Sequence, residues 1–294
     1  MPKSVSIIGA GVVGTAVGYL LRQKGYTVDA VVSRDRAKAV KAVRFIGEGK
    51  AGDDPVEAAK GSDWVFITTP DRAIKETCEK IAAGGGFENG ALAIHLSGAL
   101  SSGELSSARK NGARVLSIHP IQSLASVEQA VKNLPGSYFS MEGDPDAMSD
   151  GRDIVAALGG MLVVIPSEQK ALYHAGAAVA SNYLVTVVDY AITIFESLGM
   201  EREEALKAVL PLVRGTVNNI ERVGVPGALT GPIARGDVDT IEGHISVLTT
   251  KLPKMVRLYC ELGKHAVVVG VAKGTISREE GDRLLDVLNR RIMK

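Results

Sequence analysis

Short runs rich in Val and Ile recur along the first half of the chain, at residues 5–8, 28–32, 64–68, 91–95, 115–119, 138–141 and 161–165. Longer stretches of mixed apolar and polar residues separate them, including a helical pattern over 145–158. Strands alternating with helices predict stacked βαβ units. Right-handed crossovers then give a doubly wound, mainly parallel sheet with helices on both faces, which binds ligands at the carboxyl ends of its strands. After Pro166 the strand pattern stops. From Ser167 onward the periodicity is helical, with breaks at Gly199, at 224–227, at Gly231-Pro232 and at Gly274. The pattern predicts two domains, 1–166 and 167–294, the second all-helical.

Residues 167–198 would form a helix about 48 Å long if continuous, at 1.5 Å per residue. It is apolar on nearly every face, which predicts a spine needing partners all round, a second copy of the chain among them. A homodimer through the helical domain is expected. The same stretch carries His174, Ser181, Asn182 and Asp189, which argues against a membrane span.

The 294 residues hold 34 basic and 33 acidic side chains, a net charge of +1 that suits neither nucleic acid nor an anionic membrane surface. Two cysteines, Cys78 and Cys260, form no metal-ligand spacing and no disulfide framework, so they are expected as buried apolar residues and no metal is expected. The N-terminus enters a strand run directly, without the order of segments that marks a secretion signal. A cytoplasmic location is expected.

The strongest motif is Gly9-Ala10-Gly11-Val12-Val13-Gly14, which follows a strand and opens a helix. Gly9 permits the tight turn, Gly11 lets the backbone approach a pyrophosphate, and Gly14 lets helix and strand pack closely. This is the fingerprint of a Rossmann dinucleotide-binding domain. An NAD-preferring site would place a carboxylate near position 33, where this chain has Ser33 followed by Arg34. Those two suit the 2′-phosphate of NADP(H), with Arg36 and Lys38 as further contacts.

The remaining strand ends also carry polar groups. Thr69 and Pro70 are placed to shape the nicotinamide side of the cofactor, and Asp71 to orient a group there or to cap the next helix. Ser97 is placed to hydrogen-bond substrate or nicotinamide, or else to start a helix. His119 is expected in the pocket, and His95, inside its strand, as structural. Along the long helix, Lys170, His174, Ala177, Ala178, Ser181 and Asn182 fall on one stripe that can face the nicotinamide. Downstream, Arg235 and Asp237 could hold a substrate, or cap the helix containing Glu242.

At these residues the chain resembles the superfamily of 6-phosphogluconate, 3-hydroxyisobutyrate and prephenate dehydrogenases, ketopantoate reductase and pyrroline-5-carboxylate reductase. More narrowly, His95-Leu96-Ser97-Gly98-Ala99, Ser117-Ile118-His119-Pro120, Tyr173-His174, Ser181-Asn182 and Leu229-Thr230-Gly231-Pro232 are similar to a bacterial group pairing a Rossmann-like domain with a domain of unknown function, some members being regarded as alternative ketopantoate reductases. Ordinary ketopantoate reductases carry a lysine followed by asparagines four and eight residues later; here His174, Ala178 and Asn182 have that spacing.

The resemblance implies hydride transfer from NADPH to a small 2-oxo acid, with a 6-phosphogluconate dehydrogenase-type helical domain completing the site. His174 is the preferred acid, since an imidazole has an ordinary pKa near 6.5, and Lys170 the alternative. Asn182 and Ser97 would orient the carbonyl, His119 would line the nicotinamide side, and Ser181, Arg235 and Asp237 would recognise the substrate. Imine reduction, 3-hydroxy acid oxidation, deazaflavin-dependent NADP chemistry and a non-catalytic NADP(H)-binding regulator stand as alternatives on the same scaffold.

Overall fold

The computed structural model describes residues 3–290. One eight-stranded sheet, in the order β3-β2-β1-β4-β5-β6-β7-β8, organises the first part of the chain. Its strands are β1 Ser4–Ile8, β2 Thr27–Val32, β3 Lys50–Gly52, β4 Trp64–Ile67, β5 Leu92–His95, β6 Arg114–Pro120, β7 Tyr138–Gly143 and β8 Met161–Val164. The helices between them are α1 Val12–Gln23, α2 Arg36–Ile46, α3 Pro55–Ala59, α4 Asp71–Ala83, α5 Ser106–Lys110, α6 Val127–Asn133 and α7 Met148–Ala157.

Strands β1 to β6 pair in parallel, whereas β7 pairs antiparallel with β6 and parallel with β8. The connection between β6 and β7 holds only the seven-residue α6, and β7 starts at the carboxyl edge, where Phe139 pairs with Pro120. Strand β3 has no apolar run to announce it and pairs only with β2.

Alternation along the strands feeds two cores. Val5, Ile7, Trp64, Phe66, Leu92, Ile94, Leu116 and Ile118 pack on one face with residues of α1, α2, α6 and α7. Ile8, Val65, Ile67, Ala93 and Val115 pack on the other with α3, α4 and α5. The same two-residue period continues the second face to His95, Ser117 and His119. The antiparallel register adds Glu142 opposite Ser117 and Ser140 opposite His119. A patch of polar side chains therefore lies at the carboxyl end of a face that is otherwise apolar.

The chain divides into two compact units, Met1–Ser181 and Asn182–Lys294, fifteen residues beyond the boundary drawn at 166. The reason is local: helix α8, Lys170–Ala178, ties its first residues to the polar patch of the sheet. The expected continuous helix over 167–198 is a single-turn 3-10 segment, α8, a π-helical turn Val179–Tyr183, and α9 Leu184–Glu196. Because a π turn bonds i to i+5, it breaks the 3.6-residue period. Ser181 and Asn182 are both exposed within it.

The second unit is helical: α9, α10 Arg202–Ala228, α11 Gly231–Ala234, α12 Val238–Lys251, α13 Val256–Lys273 and α14 Arg278–Asn289. Ile241, Ile245, Cys260, Val267, Leu284 and Leu288 are among its buried core. Its breaks fall where glycine was expected to place them: Gly224 interrupts α10 at φ 75°, and Gly274 ends α13 in the left-handed region at φ 77°. Both cysteines are buried and unpaired.

Candidate active site

A cleft of about 570 Å³ opens at the carboxyl ends of β1, β2 and β4. Gly9, Ala10, Gly11, Val12, Val13, Ser33, Arg34, Thr69 and Pro70 all line it, as the sequence predicts. The three motif glycines divide the work as expected. A Cβ on Gly9 would sit 2.6 Å from the Thr68 carbonyl carbon, and one on Gly14 would sit 2.5 Å from the Gly9 carbonyl oxygen. Both are required by packing. A Cβ on Gly11 would meet nothing within 4 Å, so nothing in the fold demands glycine there. Gly11 is also the N-cap of α1 and makes no side-chain cap, which leaves the first amides of the helix free to bind an anion.

Arg34 and Lys38 line the Ser33 end of the cleft, whereas Arg36, the first residue of α2, does not. Asp53, just after β3, also lines it and was missed, because the run Lys50-Ala51-Gly52 gives no strand signal. Thr69 lines the cleft, and its hydroxyl is buried without a hydrogen-bond partner.

Beginning at the next strand, β5, and centred on β6, the polar patch is bound together from α8. Lys170 is 1% exposed, and its ammonium donates to Ser117 and lies 3.8 Å from Glu142. Glu142 also accepts from the Ser102 amide (2.7 Å), the Ser102 hydroxyl (2.8 Å) and the Ser167 hydroxyl (2.7 Å). Burial pushes the Lys170 ammonium down to about 8, with Glu142 and Asp71 pulling the other way. Glu142 escaped the sequence reading, which ended its strand at Met141.

His95 donates from Nε2 to the Ser101 carbonyl (3.0 Å) and receives the Ser97 amide at Nδ1 (3.2 Å), the structural role expected of it. Burial holds its pKa at about 4, though the Ser101 carbonyl favours the charged form. Ser97 donates to Asp71 (2.8 Å) and accepts from the amides of Ala99 and Leu100 (3.2 and 3.1 Å). The residue is 5% exposed and its hydroxyl closes a local turn; the next helical segment starts only at Ser102, so the helix-starting alternative is not realised.

His119 meets Tyr173 through Nδ1 and the phenol oxygen at 2.6 Å, with the rings edge to face. Burial, together with the nearby Lys170 and His174, pushes His119 down to about 4, so it is neutral near pH 7. The ring of His174 stands 5.9 Å from that of His119, again edge on. Its Nδ1 is buried and has no partner. Both rings converge on Gly98: a Cβ there would lie 2.5 Å from Nδ1 of His174 and 2.8 Å from Nε2 of His119.

Within the helical unit, Asp237 is the N-cap of α12. It accepts from the Thr240 amide at 3.1 Å and the Thr240 hydroxyl at 2.7 Å, and Arg235 lies 3.9 Å away. These bonds hold the Asp237 carboxyl below its ordinary pKa, the Thr240 hydroxyl contributing most. The capping alternative is thus realised for Asp237. Among the described residues no group of three or more His, Cys, Asp or Glu is placed to hold a metal ion.

Known families match the two parts of the chain separately. Residues 2–120 match the model of a Rossmann-like domain, and residues 137–266 that of a domain of unknown function, DUF2520. The crystal structure of protein TM1727 from Thermotoga maritima is similar over 92% of this chain and 99% of its own, at 29% identity and a TM-score of 0.74. A reductive aminase from Aspergillus terreus, solved with NADPH and ethyl-5-oxohexanoate, shares the fold over 99% of this chain and 94% of its own, at 17% identity and a TM-score of 0.61. A glycerol-3-phosphate dehydrogenase [NAD(P)+] from Clostridium botulinum is 28% identical over 90 residues, 27% of this chain and 27% of that enzyme's length. The chain thus joins a Rossmann-like domain to a DUF2520 domain that begins at the last two strands of the sheet and continues into the helices.

Proposed function

We propose that this protein is an NADPH-dependent oxidoreductase that reduces the carbonyl group of a small 2-oxo acid, with His174 as the proton donor. One observation carries the reading: the glycine-lined cleft and the convergent imidazoles of His119 and His174 stand at the carboxyl ends of neighbouring strands of one sheet. Relatives in fold and sequence include NAD(P)-dependent enzymes, which supports the same class of chemistry.

The backbone from Gly9 to Val13 would hold the pyrophosphate, Ser33, Arg34 and Lys38 the 2′-phosphate, and Thr69 and Pro70 the nicotinamide side. When bound, NADPH supplies a hydride to the carbonyl carbon. The imidazolium of His174 gives its proton to the developing alkoxide, so the products are a 2-hydroxy acid and NADP+, and solvent restores the proton to His174. Lys170 is a poorer donor because its ammonium is enclosed and engaged by Ser117 and Glu142. It sets the field around the histidines instead. In His174→Ala, kcat should fall by roughly 10²–10⁴-fold with NADPH affinity unchanged; unaltered turnover would reject the assignment.

The chain further acts as a homodimer through its helices. Residues 167–196 form one helical stretch long and apolar enough to cross a membrane by length and composition, and only 6% of its most apolar window is buried. Leu172, Val179, Tyr183 and Val185 are exposed on it, a surface that a second copy would cover.

A further inference from the structure

The reading above uses His174 and leaves the 2.6 Å contact between Tyr173 and His119 without a purpose. That contact is built from two elements: His119 ends β6, and Tyr173 reaches it from the first turn of α8, which Lys170 anchors to Ser117 and Glu142. A phenol in such a pair has one proton, and Nδ1 of His119 is its hydrogen-bond partner. With the phenol donating, Nδ1 is the acceptor and the ring carries its proton on Nε2. Nε2 and Cε1, the ring edge away from Tyr173, both lie 2.8 Å from the point where Gly98 lacks a Cβ, the point that Nδ1 of His174 also approaches.

We propose that Tyr173 is a positioning residue: its hydroxyl donates to Nδ1 of His119, fixes that ring as the Nε2–H tautomer, and aims this N–H over Gly98 beside His174 at the oxygen of the substrate. The aim at a substrate oxygen rests on the reductase reading, whereas the tautomer does not. A Cβ at position 98 would clash with both rings, so the glycine is what lets them approach the turn together. The groups facing His119 are Asp71 from α4, His95 from β5, and Lys170, Tyr173 and His174 from α8. Burial and the Lys170 ammonium disfavour a second proton on His119, and burial keeps the Tyr173 phenol protonated by raising its pKa. A neutral, orientationally fixed N–H can then stabilise oxygen charge without giving up its proton.

The test is 15N histidine NMR on the full chain without substrate, His119 being assigned by the signal lost in His119→Gln. The expected result is a neutral Nε2–H imidazole that does not titrate over roughly pH 5 to 8, replaced in Tyr173→Phe by a mixture of tautomers. Turnover adds a second readout. Tyr173→Phe should lower kcat about tenfold, about 1.4 kcal/mol, with coenzyme KM unchanged. In His119→Gln the amide nitrogen substitutes for Nε2 without needing Tyr173, so adding Tyr173→Phe there should cost nothing further. An Nδ1–H tautomer in the wild type, or an equal loss in both backgrounds, would overturn the proposal. Because the tautomer is read without any substrate, failure of the reductase reading would leave that result standing.

Discussion

Gly11 and Gly14 differ by three positions and by the kind of force that requires them. A methyl at position 14 would press on the Gly9 carbonyl oxygen and the Thr68 hydroxyl, so Gly14→Ala should destabilise the fold by about 1–3 kcal/mol in denaturant titrations. A methyl at position 11 meets nothing, so Gly11→Ala should leave the melting temperature nearly unchanged while weakening NADPH binding about tenfold or more. Equal melting losses in the two variants would contradict that division. These roles were legible because strand, glycine spacing and helix coincide in sequence. The partners of Lys170 were not. Glu142 comes from a strand whose antiparallel direction no sequence pattern announces, and the lysine's burial depends on α8 folding back onto the sheet. That burial has a pH signature. Between about 8 and the ordinary 10.5 the unfolded chain holds a proton that the folded chain has released, so stability gains with rising pH and loses that gain as pH falls through 8. The gain should reach about 3 kcal/mol, and Lys170→Met should lack it when urea unfolding is followed across this window. Parallel pH profiles for the two proteins would show a lysine titrating normally in the fold.

At the scale of elements, periodicity located nearly every strand and each glycine break, and it missed what depends on backbone hydrogen bonding alone. Strand β3 is three residues long, and the π turn Val179–Tyr183 leaves no mark in the apolar pattern. The first matters to the cleft, because it brings Asp53 there, and the second carries Ser181 and Asn182. The break in α10 has a clearer cause. Gly224 adopts φ 75° and ψ 171°, a region closed to residues with a Cβ, while a methyl there would touch nothing within 4 Å. Gly224→Ala should therefore cost about 1–3 kcal/mol through backbone strain alone, measured by thermal or chemical unfolding. A neutral substitution would mean that α10 can straighten at no cost.

For the whole molecule, the two-layer plan of a doubly wound sheet followed by helices was legible because each half keeps its own period. The proposed assembly rests on the apolar surplus of residues 167–198. A dimer should appear in sedimentation at micromolar concentration, and Val185→Glu should convert it to a monomer; a monomeric wild type would contradict the assigned interface. The chemistry is best tested by turnover of the purified chain with NADPH and with NADH, against 2-oxo acids first and then ketones and imines. The expected result is NADPH consumed faster than NADH, with one 2-hydroxy acid formed per coenzyme oxidised. Tight NADPH binding with no oxidation by any carbonyl or imine compound would contradict the assignment as a reductase.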